Sequence, residues 1–130
     1  MQSGLAPTST PCTIADARAR LREAEAYLEA AQPVGDPESI AANAIHAAVA
    51  AAEAVCCVAL RERSADGSPL AAVELLSRVD RSLSAALKRA MDRQIQAAYE
   101  SREISVSDAR MCLRQAVLLL DAARDRDLSA

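Results

Sequence analysis

The segment from Ile40 to Leu60 constrains the fold more than any other part of the chain. Its sequence, IAANAIHAAVAAAEAVCCVAL, is apolar around nearly the whole circumference of a helix. Such a helix is normally covered on several sides by other helices, because it has no face suited to water. Asn43, His46 and Glu53 are the only polar interruptions. The segment therefore predicts the central helix of a multi-helix domain.

The composition favours a domain made entirely of helices. The chain has 130 residues, with two Tyr, no Phe and no Trp. A core without large rings must be built from Leu, Ile, Val and Ala, and alanine is the best helix former. No segment alternates apolar and polar residues as a half-buried strand would. The length fits a single domain with a real core.

Capping signals divide the chain into helices. An amphipathic stripe from Ile14 to Ala31 marks a first helix. Gly67 is predicted to break the second helix, and the stripes after it mark the later ones. Asp80 either starts a fresh helix or lies at a bend. Four pairs have the spacing of helix starts: Thr10 with Pro11, Asp36 with Pro37, Ser68 with Pro69, and Ser105 with Asp108.

These signals predict an all-α fold, a four- to five-helix up-and-down bundle. The predicted organisation is a flexible N-terminal tail over residues 1–10, a single helical bundle domain over residues 11–127, and a frayed C-terminus over residues 128–130.

The residue types argue against metal, cofactor and membrane functions. His46 and Cys56 are ten residues apart on one helix, which is about 15 Å along its axis and too far for a shared zinc ion. One histidine cannot supply two Glu-x-x-His motifs of a di-iron bundle, and no glycine-rich phosphate loop exists. We predict no metal site and no cofactor. The longest apolar run carries Asn43, His46 and Glu53, so we predict no membrane span and no membrane partner.

The cysteines and the N-terminus suggest a cytoplasmic protein. Nothing in the spacing of the four cysteines resembles a dense disulfide framework, so we interpret them as buried reduced thiols: Cys12, Cys56, Cys57 and Cys112. The first ten residues have no basic start and no apolar block, unlike a signal peptide.

A basic stripe offers a candidate nucleic-acid interface. Its members are Arg78, Arg81, Lys88, Arg89 and Arg93. Such a stripe can bind RNA or an acidic partner, whereas Asp80 and Asp92 nearby favour an ordinary solvated face. The net charge of −3 also argues against dedicated binding of a polyanion.

The polar residues of the central helix form a candidate partner-binding seam. Asn43, His46 and Glu53 fall on nearly the same side of the helix. Because buried polar groups need partners, the seam must meet water, another helix or another subunit. A hydrogen-bonded structural seam is the favoured interpretation, and partner binding or catalysis by His46 is the alternative.

Three blocks of the sequence resemble the HEPN domain. They are ESIAANAIHAAVAAAEAVCCVALRERSADGSPLAAVELL, MDRQIQAAYESREISVSDA and RMCLRQAVLLLDAARD. More narrowly, the chain is similar to small bacterial HEPN proteins encoded beside a minimal nucleotidyltransferase. The resemblance covers residues 12–126. The matching positions are Asn43, His46, Ala47 and Ala50, then Arg63 and Ser64, then Ala98 and Tyr99 followed by Ser107 to Ala109.

The resemblance implies a helical bundle that commonly dimerises and works in toxin–antitoxin or defence modules. Active members resemble metal-independent endoribonucleases. They use an Arg, a polar neighbour and a His four to six residues later at the start of the last helix. Here Arg102 precedes the last helix, but the residue six positions on is Asp108. A carboxylate cannot replace the imidazole as an acid at pH 7 without a large pKa shift. We therefore expect no ribonuclease activity by the usual mechanism.

Three functional hypotheses follow. The first is a non-catalytic bundle acting by protein–protein contact, as a homodimer or with a minimal nucleotidyltransferase, through Asn43, His46, Glu53, Tyr99 and Arg102. The second is a ribonuclease toxin with a relocated site that uses His46 and Arg102 as catalytic residues, with Glu53 or Tyr99. The third is a nucleic-acid-binding bundle that uses the basic stripe, and RNA binding is the less favoured alternative.

Overall fold

The chain folds as a bundle of helices with one small strand pair. A computed structural model describes residues 9–31, 35–65 and 68–129. Within these ranges lie five helices and two strands: α1 (Ile14–Ala30), α2 (Pro37–Leu60), α3 (Pro69–Ser77), α4 (Arg81–Tyr99), α5 (Val106–Ser129), β1 (Ser9–Pro11) and β2 (Glu62–Ser64). The predicted all-α bundle is confirmed. Residues 1–8 of the predicted tail, the breaker Gly67 and residue 130 lie outside the described residues.

Most of the predicted helix starts are confirmed. The Asp36 side chain accepts a hydrogen bond from the Ser39 amide, and that of Ser68 accepts one from the Ala71 amide. Asp80 begins a new helix, because its Oδ1 accepts hydrogen bonds from the amides of Ser82 and Leu83. The third predicted segment is therefore two helices, α3 and α4.

The first helix begins later than predicted. Thr13 caps α1, and Thr13 and Asp16 exchange hydrogen bonds as a capping box that satisfies two amides at once. Pro11 lies in β1 instead, opposite Glu62 of the antiparallel partner β2. Pro lacks an amide donor and is tolerated at such an edge. Ser9 and Thr10 of the predicted tail also belong to β1, and α5 continues to Ser129 at the other end.

Helix α2 is the central helix, as predicted. It packs most extensively against α1 and α5 and also contacts α3 and α4. Its buried alanines let these helices approach closely, and larger side chains fill the core around them: Val55, Leu76, Leu87, Leu119 and Leu120. By length and composition α2 could cross a bilayer, but 72% of its most apolar window is buried inside the protein.

A disulfide joins the segment between β1 and α1 to the last turn of α2. Cys12 and Cys57 are paired, with their Cα atoms 5.2 Å apart, a separation that suits a disulfide. The interpretation of all four cysteines as reduced thiols was therefore wrong for this pair. The strand pair brings Cys12 beside the last turn of α2, a contact that helix periodicity does not reveal. Cys56 and Cys112 are free and buried, as predicted.

Candidate functional site

An open groove runs along one side of α2, and we call it the α2 groove. Its first part has a volume of about 320 Å³ and is lined by Arg20, Tyr27, Ala42, Ile45, His46, Val49, Pro69 and Gln94. Its second part, of about 240 Å³, is lined by Glu38, Ala42, Gln94, Ala97, Ala98, Arg102 and Ile104. The two parts share Ala42 and Gln94. The groove therefore lies between α1, α2 and α4, with a floor of small and apolar side chains.

His46 lies at the edge of the α2 groove and stacks on Tyr27. The two ring centroids are 5.1 Å apart with an interplanar angle of 28°. His46 is exposed, and Tyr27 is 37% exposed. Asn43 of α2 lines an adjoining hollow, whose other wall is formed by α1 and includes Tyr27. The stacked rings therefore form a flat aromatic surface that is open to solvent, and the His46 imidazole is not enclosed in a buried pocket.

Glu53 is engaged inside the protein, away from His46. Its side chain is buried, and its Oε2 accepts a hydrogen bond of 2.6 Å from Ser64 Oγ. Its Oε1 accepts one of 2.8 Å from Arg20 Nε, and the Arg20 Nη2 atom also pairs with it. Arg20 reaches Glu23 as well, at 3.1 Å. The carboxylate thus joins α1, α2 and β2, as a fully bonded buried charge must.

The predicted polar seam is therefore divided between two environments. His46 and Asn43 lie on the surface beside Tyr27, whereas Glu53 is part of the internal cluster with Arg20 and Ser64. Glu53 is hydrogen-bonded and structural, and His46 remains available to a partner.

Arg102 lies at the far end of the α2 groove and is held by two carboxylates. Its Nε donates to Glu100 Oε1 at 2.8 Å, and its Nη1 donates to Asp108 Oδ2 at 2.9 Å. The Arg102 amide bonds the Ala97 carbonyl at 3.0 Å, across a turn in which Ser101 has a positive φ of 54°. The turn that ends α4 therefore fixes where this guanidinium lies.

Asp108 caps α5, as the sequence predicted. The Ser105 amide donates to Asp108 Oδ2 at 3.2 Å, and the Asp108 amide donates to Ser105 Oγ at 3.0 Å. Arg93 Nη1 also approaches Asp108 Oδ1 at 3.7 Å. The hydrogen bond from Arg102, together with those from Ser105, holds the pKa of Asp108 below its usual 3.8 although burial opposes this. Asp108 is thus an ionised structural residue.

Replacing Asp108 with asparagine is expected to lower the free energy of unfolding by about 1 kcal/mol at pH 7. A carboxylate whose pKa is lowered by folding contributes stability above its unfolded pKa and loses it as the pH falls. The difference between wild type and Asp108→Asn should therefore be nearly constant from pH 7 to about pH 5 and shrink as the pH falls through 3.8, the usual pKa of the group. Urea unfolding across this range measures it. A difference that grows in acid would contradict the assignment.

The basic stripe is partly neutralised. Lys88 pairs with Asp92 at 3.1 Å, Arg93 approaches Asp108, and Arg78 approaches Glu62 at 3.8 Å. Arg81 and Arg89 are exposed on α4. Because α3 ends at Ser77, Arg78 lies in the turn before α4 rather than on the same helix. The stripe is not one continuous basic face.

The groove does not contain a recognisable catalytic set. Among the described residues, no hydrogen bond links His46 to Arg102, Glu53 or Tyr99, the other members of the relocated ribonuclease site. In the same part of the chain, no group of three or more His, Cys, Asp and Glu residues could hold a metal ion. Tyr99 is 90% exposed at the end of α4, where it follows Ala98 of the groove wall.

Arg20, Tyr27 and Gln94 are the groove residues that sequence reasoning missed. Arg20 is one of several charged residues of the first helix, and its residue type alone does not distinguish it from the others. Its carboxylate partner Glu53 is 33 positions away, and no local pattern reports such a pair. The rarity of aromatic residues was the one available signal for Tyr27.

Comparison with known proteins gives no relative for this chain: no family model, no curated protein and no solved structure matches it.

Proposed function

We propose that this chain is a non-catalytic, protein-binding helical bundle that pairs with a second copy of itself through the α2 groove. The observation that carries the proposal is the grouping of its scarce recognition residues. Tyr27, Tyr99 and His46 are the only aromatic and histidine side chains in the chain. Tyr27 and His46 line this groove, and the exposed Tyr99 directly follows Ala98, which also lines it. Aromatic side chains on an exposed surface are typical anchors of protein interfaces.

The shape of this face supports a second copy as the occupant. Ile95 is 59% exposed and Tyr99 is 90% exposed, one helical turn apart on α4. Each follows a groove-lining residue of α4, Gln94 and Ala98 respectively, so we infer that Ile95 and Tyr99 form a ridge beside the groove. A two-fold axis near α4 would place the ridge of each copy in the groove of the other, because the same patch serves both sides. Burial would then remove these apolar side chains from water.

The contacts that His46 and Arg102 make argue against the catalytic alternative. A general acid or base must lie within hydrogen-bonding reach of the group to which it gives a proton or from which it takes one. The observed contact of His46 is a stack with Tyr27, and Arg102 already donates to Glu100 and Asp108. RNA cleavage that His46→Ala or Arg102→Ala abolishes, with the fold intact, would establish the ribonuclease alternative instead.

Replacing Ala98 with glutamate tests the pairing. Ala98 is exposed and lines the groove, so the isolated chain should tolerate the change, whereas the dimer would bury two unpaired carboxylates. We expect the dimer dissociation constant to rise by at least about tenfold. Sedimentation over a range of concentrations measures it.

Ala85→Glu is the matched control, because Ala85 is also exposed on α4 but does not line the groove. Its dissociation constant should equal that of the wild type. Equal effects of the two substitutions, or a wild-type chain that is monomeric at all concentrations, would contradict the proposal.

The HEPN resemblance supports a wider setting for the same surface. It suggests a toxin–antitoxin or defence-type module in the cytoplasm, with a minimal nucleotidyltransferase as a second partner. Light scattering of the chain mixed with such a neighbour tests this partnership. A complex that forms with wild type and Ala85→Glu, but not with Ala98→Glu, would support use of the groove. A complex insensitive to both changes would place the second partner elsewhere.

A further inference from the structure

The disulfide is connected to the α2 groove by a short series of contacts. Cys12 is bonded to Cys57, and its amide donates to the Arg61 carbonyl at 2.8 Å. These bonds hold β1 against β2, where Ser9 pairs with Ser64. The disulfide therefore lies where the N-terminal strand joins the end of the central helix.

The second half of the series runs from β2 to the groove. Ser64 Oγ donates to Glu53 at 2.6 Å, and Glu53 accepts from Arg20 Nε at 2.8 Å. Arg20 lines the groove together with Tyr27 and His46. The buried Glu53 carboxylate thus sets the position of Arg20 in the groove. Its other partner, Ser64, belongs to β2, the strand that the disulfide secures against β1.

The remaining cysteines are poorly suited to redox chemistry. Burial raises the pKa of Cys56 to about 12 and that of Cys112 to about 11. A thiol with so high a pKa is almost entirely protonated near neutral pH, and the thiolate is the reactive form. Thiol–disulfide exchange in the described part of the chain is therefore concentrated in the Cys12–Cys57 pair.

We propose that the Cys12–Cys57 disulfide is a redox switch that controls the geometry of the α2 groove. A dithiol reductant supplies two electrons and two protons. The sulfur–sulfur bond breaks, two thiols form at Cys12 and Cys57, and the reductant becomes a disulfide. A two-stranded ribbon of three-residue strands is marginal without support, so β1 separates and Ser64 no longer holds Glu53 firmly. Arg20 and the Tyr27–His46 stack then change position.

The switch suits a protein that works in a reducing compartment. Disulfides that persist in the cytosol are usually transient or redox-sensing rather than structural. The oxidised form holds the groove as described above, and the reduced form has a rearranged groove. The inference concerns groove geometry alone, so it stands or falls independently of whether a second copy binds there.

The single histidine provides a specific test. The chain has one His, so its imidazole gives one set of proton resonances, which report on the groove. We expect treatment of the full chain with dithiothreitol to shift the His46 resonance. Amide hydrogen exchange should accelerate by about tenfold or more in residues 9–13 and 62–64, while α5 remains helical and the slower of the two regions to exchange. Cys12→Ala should show the reduced spectrum without reductant, and Cys56→Ala should respond as the wild type does.

Three results would overturn the switch. The first is four titratable thiols in unfolded protein that was prepared without reductant. The second is a His46 resonance that is identical in the oxidised and reduced forms. The third is loss of the helical circular dichroism signal on reduction or in Cys12→Ala, because the chain would then be unfolded and would have no groove to rearrange.

Discussion

Replacing Glu53 with alanine is expected to lower the free energy of unfolding by about 3 kcal/mol. The change removes the carboxylate that accepts hydrogen bonds from Arg20 and Ser64, and it leaves a largely buried guanidinium and a buried hydroxyl without their partner. The value lies at the low end for a broken buried pair, because Arg20 keeps 20% exposure and its contact with Glu23. Urea unfolding monitored by circular dichroism measures it.

Glu23→Ala is the matched control for this prediction. Glu23 also pairs with Arg20, but its side chain is 52% exposed, so its loss should cost less than about 1 kcal/mol. A double-mutant cycle between Arg20→Ala and Glu53→Ala should be strongly non-additive, because each removes the partner of the other. An effect of Glu53→Ala as small as that of Glu23→Ala would show that the buried cluster is not formed.

Loss of the disulfide is expected to destabilise the fold by about 4 kcal/mol. The two cysteines are 45 positions apart, and the bond restricts the unfolded chain over that length. Unfolding of the wild type should therefore require less denaturant in the presence of dithiothreitol. Cys12→Ala should match the reduced wild type and show no further response.

Cys56→Ala is the control that distinguishes loss of the Cys12–Cys57 disulfide from loss of a buried free thiol. Cys56 is the buried neighbour of Cys57 but is not paired, so this variant should keep the full difference between oxidised and reduced forms. A wild-type stability that does not change on reduction would contradict the pairing. Global stability and local groove geometry are separate readouts, since a protein can lose several kcal/mol and remain folded.

The parts of the fold that local patterns determine could be predicted from the sequence. The all-round apolar run identified α2, and side-chain caps fixed the starts at Asp36, Ser68 and Ser105. Each of these signals acts over three or four residues. The first helix start was misplaced because two competing caps lie close together, and Thr13 with Asp16 satisfies more amides than Thr10 does.

The parts that depend on distant residues could not be predicted. The pairing of β1 with β2 and of Cys12 with Cys57 joins segments about fifty and 45 positions apart, and no periodic pattern encodes either one. The same limitation applied to the candidate site. Helix geometry placed Glu53 on the side of His46, but the choice between an internal and an external partner depended on where Arg20 and Ser64 lie.

The HEPN resemblance remains a prediction about family and setting. By that resemblance Asp108 stands where active members carry a histidine, and it forms a helix cap and an ion pair with Arg102. In that arrangement the Asp108 carboxylate and the Arg102 guanidinium both stabilise the start of α5. It supports a chain that acts by contact rather than by cleavage, which is the central claim of the proposed function.

Photo-cross-linking from position 99 tests that claim most directly. Tyr99 is almost fully exposed, so replacing it with p-benzoylphenylalanine keeps an aromatic side chain and should not disturb the fold. We expect a covalent dimer on irradiation, with the linkage mapped to residues 38–49 of the second copy or to the face of α1 near Tyr27. Ala98→Glu in the same chain should abolish the product, and Ala85→Glu should not. Irradiation that yields only monomer, or a linkage to α5, would contradict it.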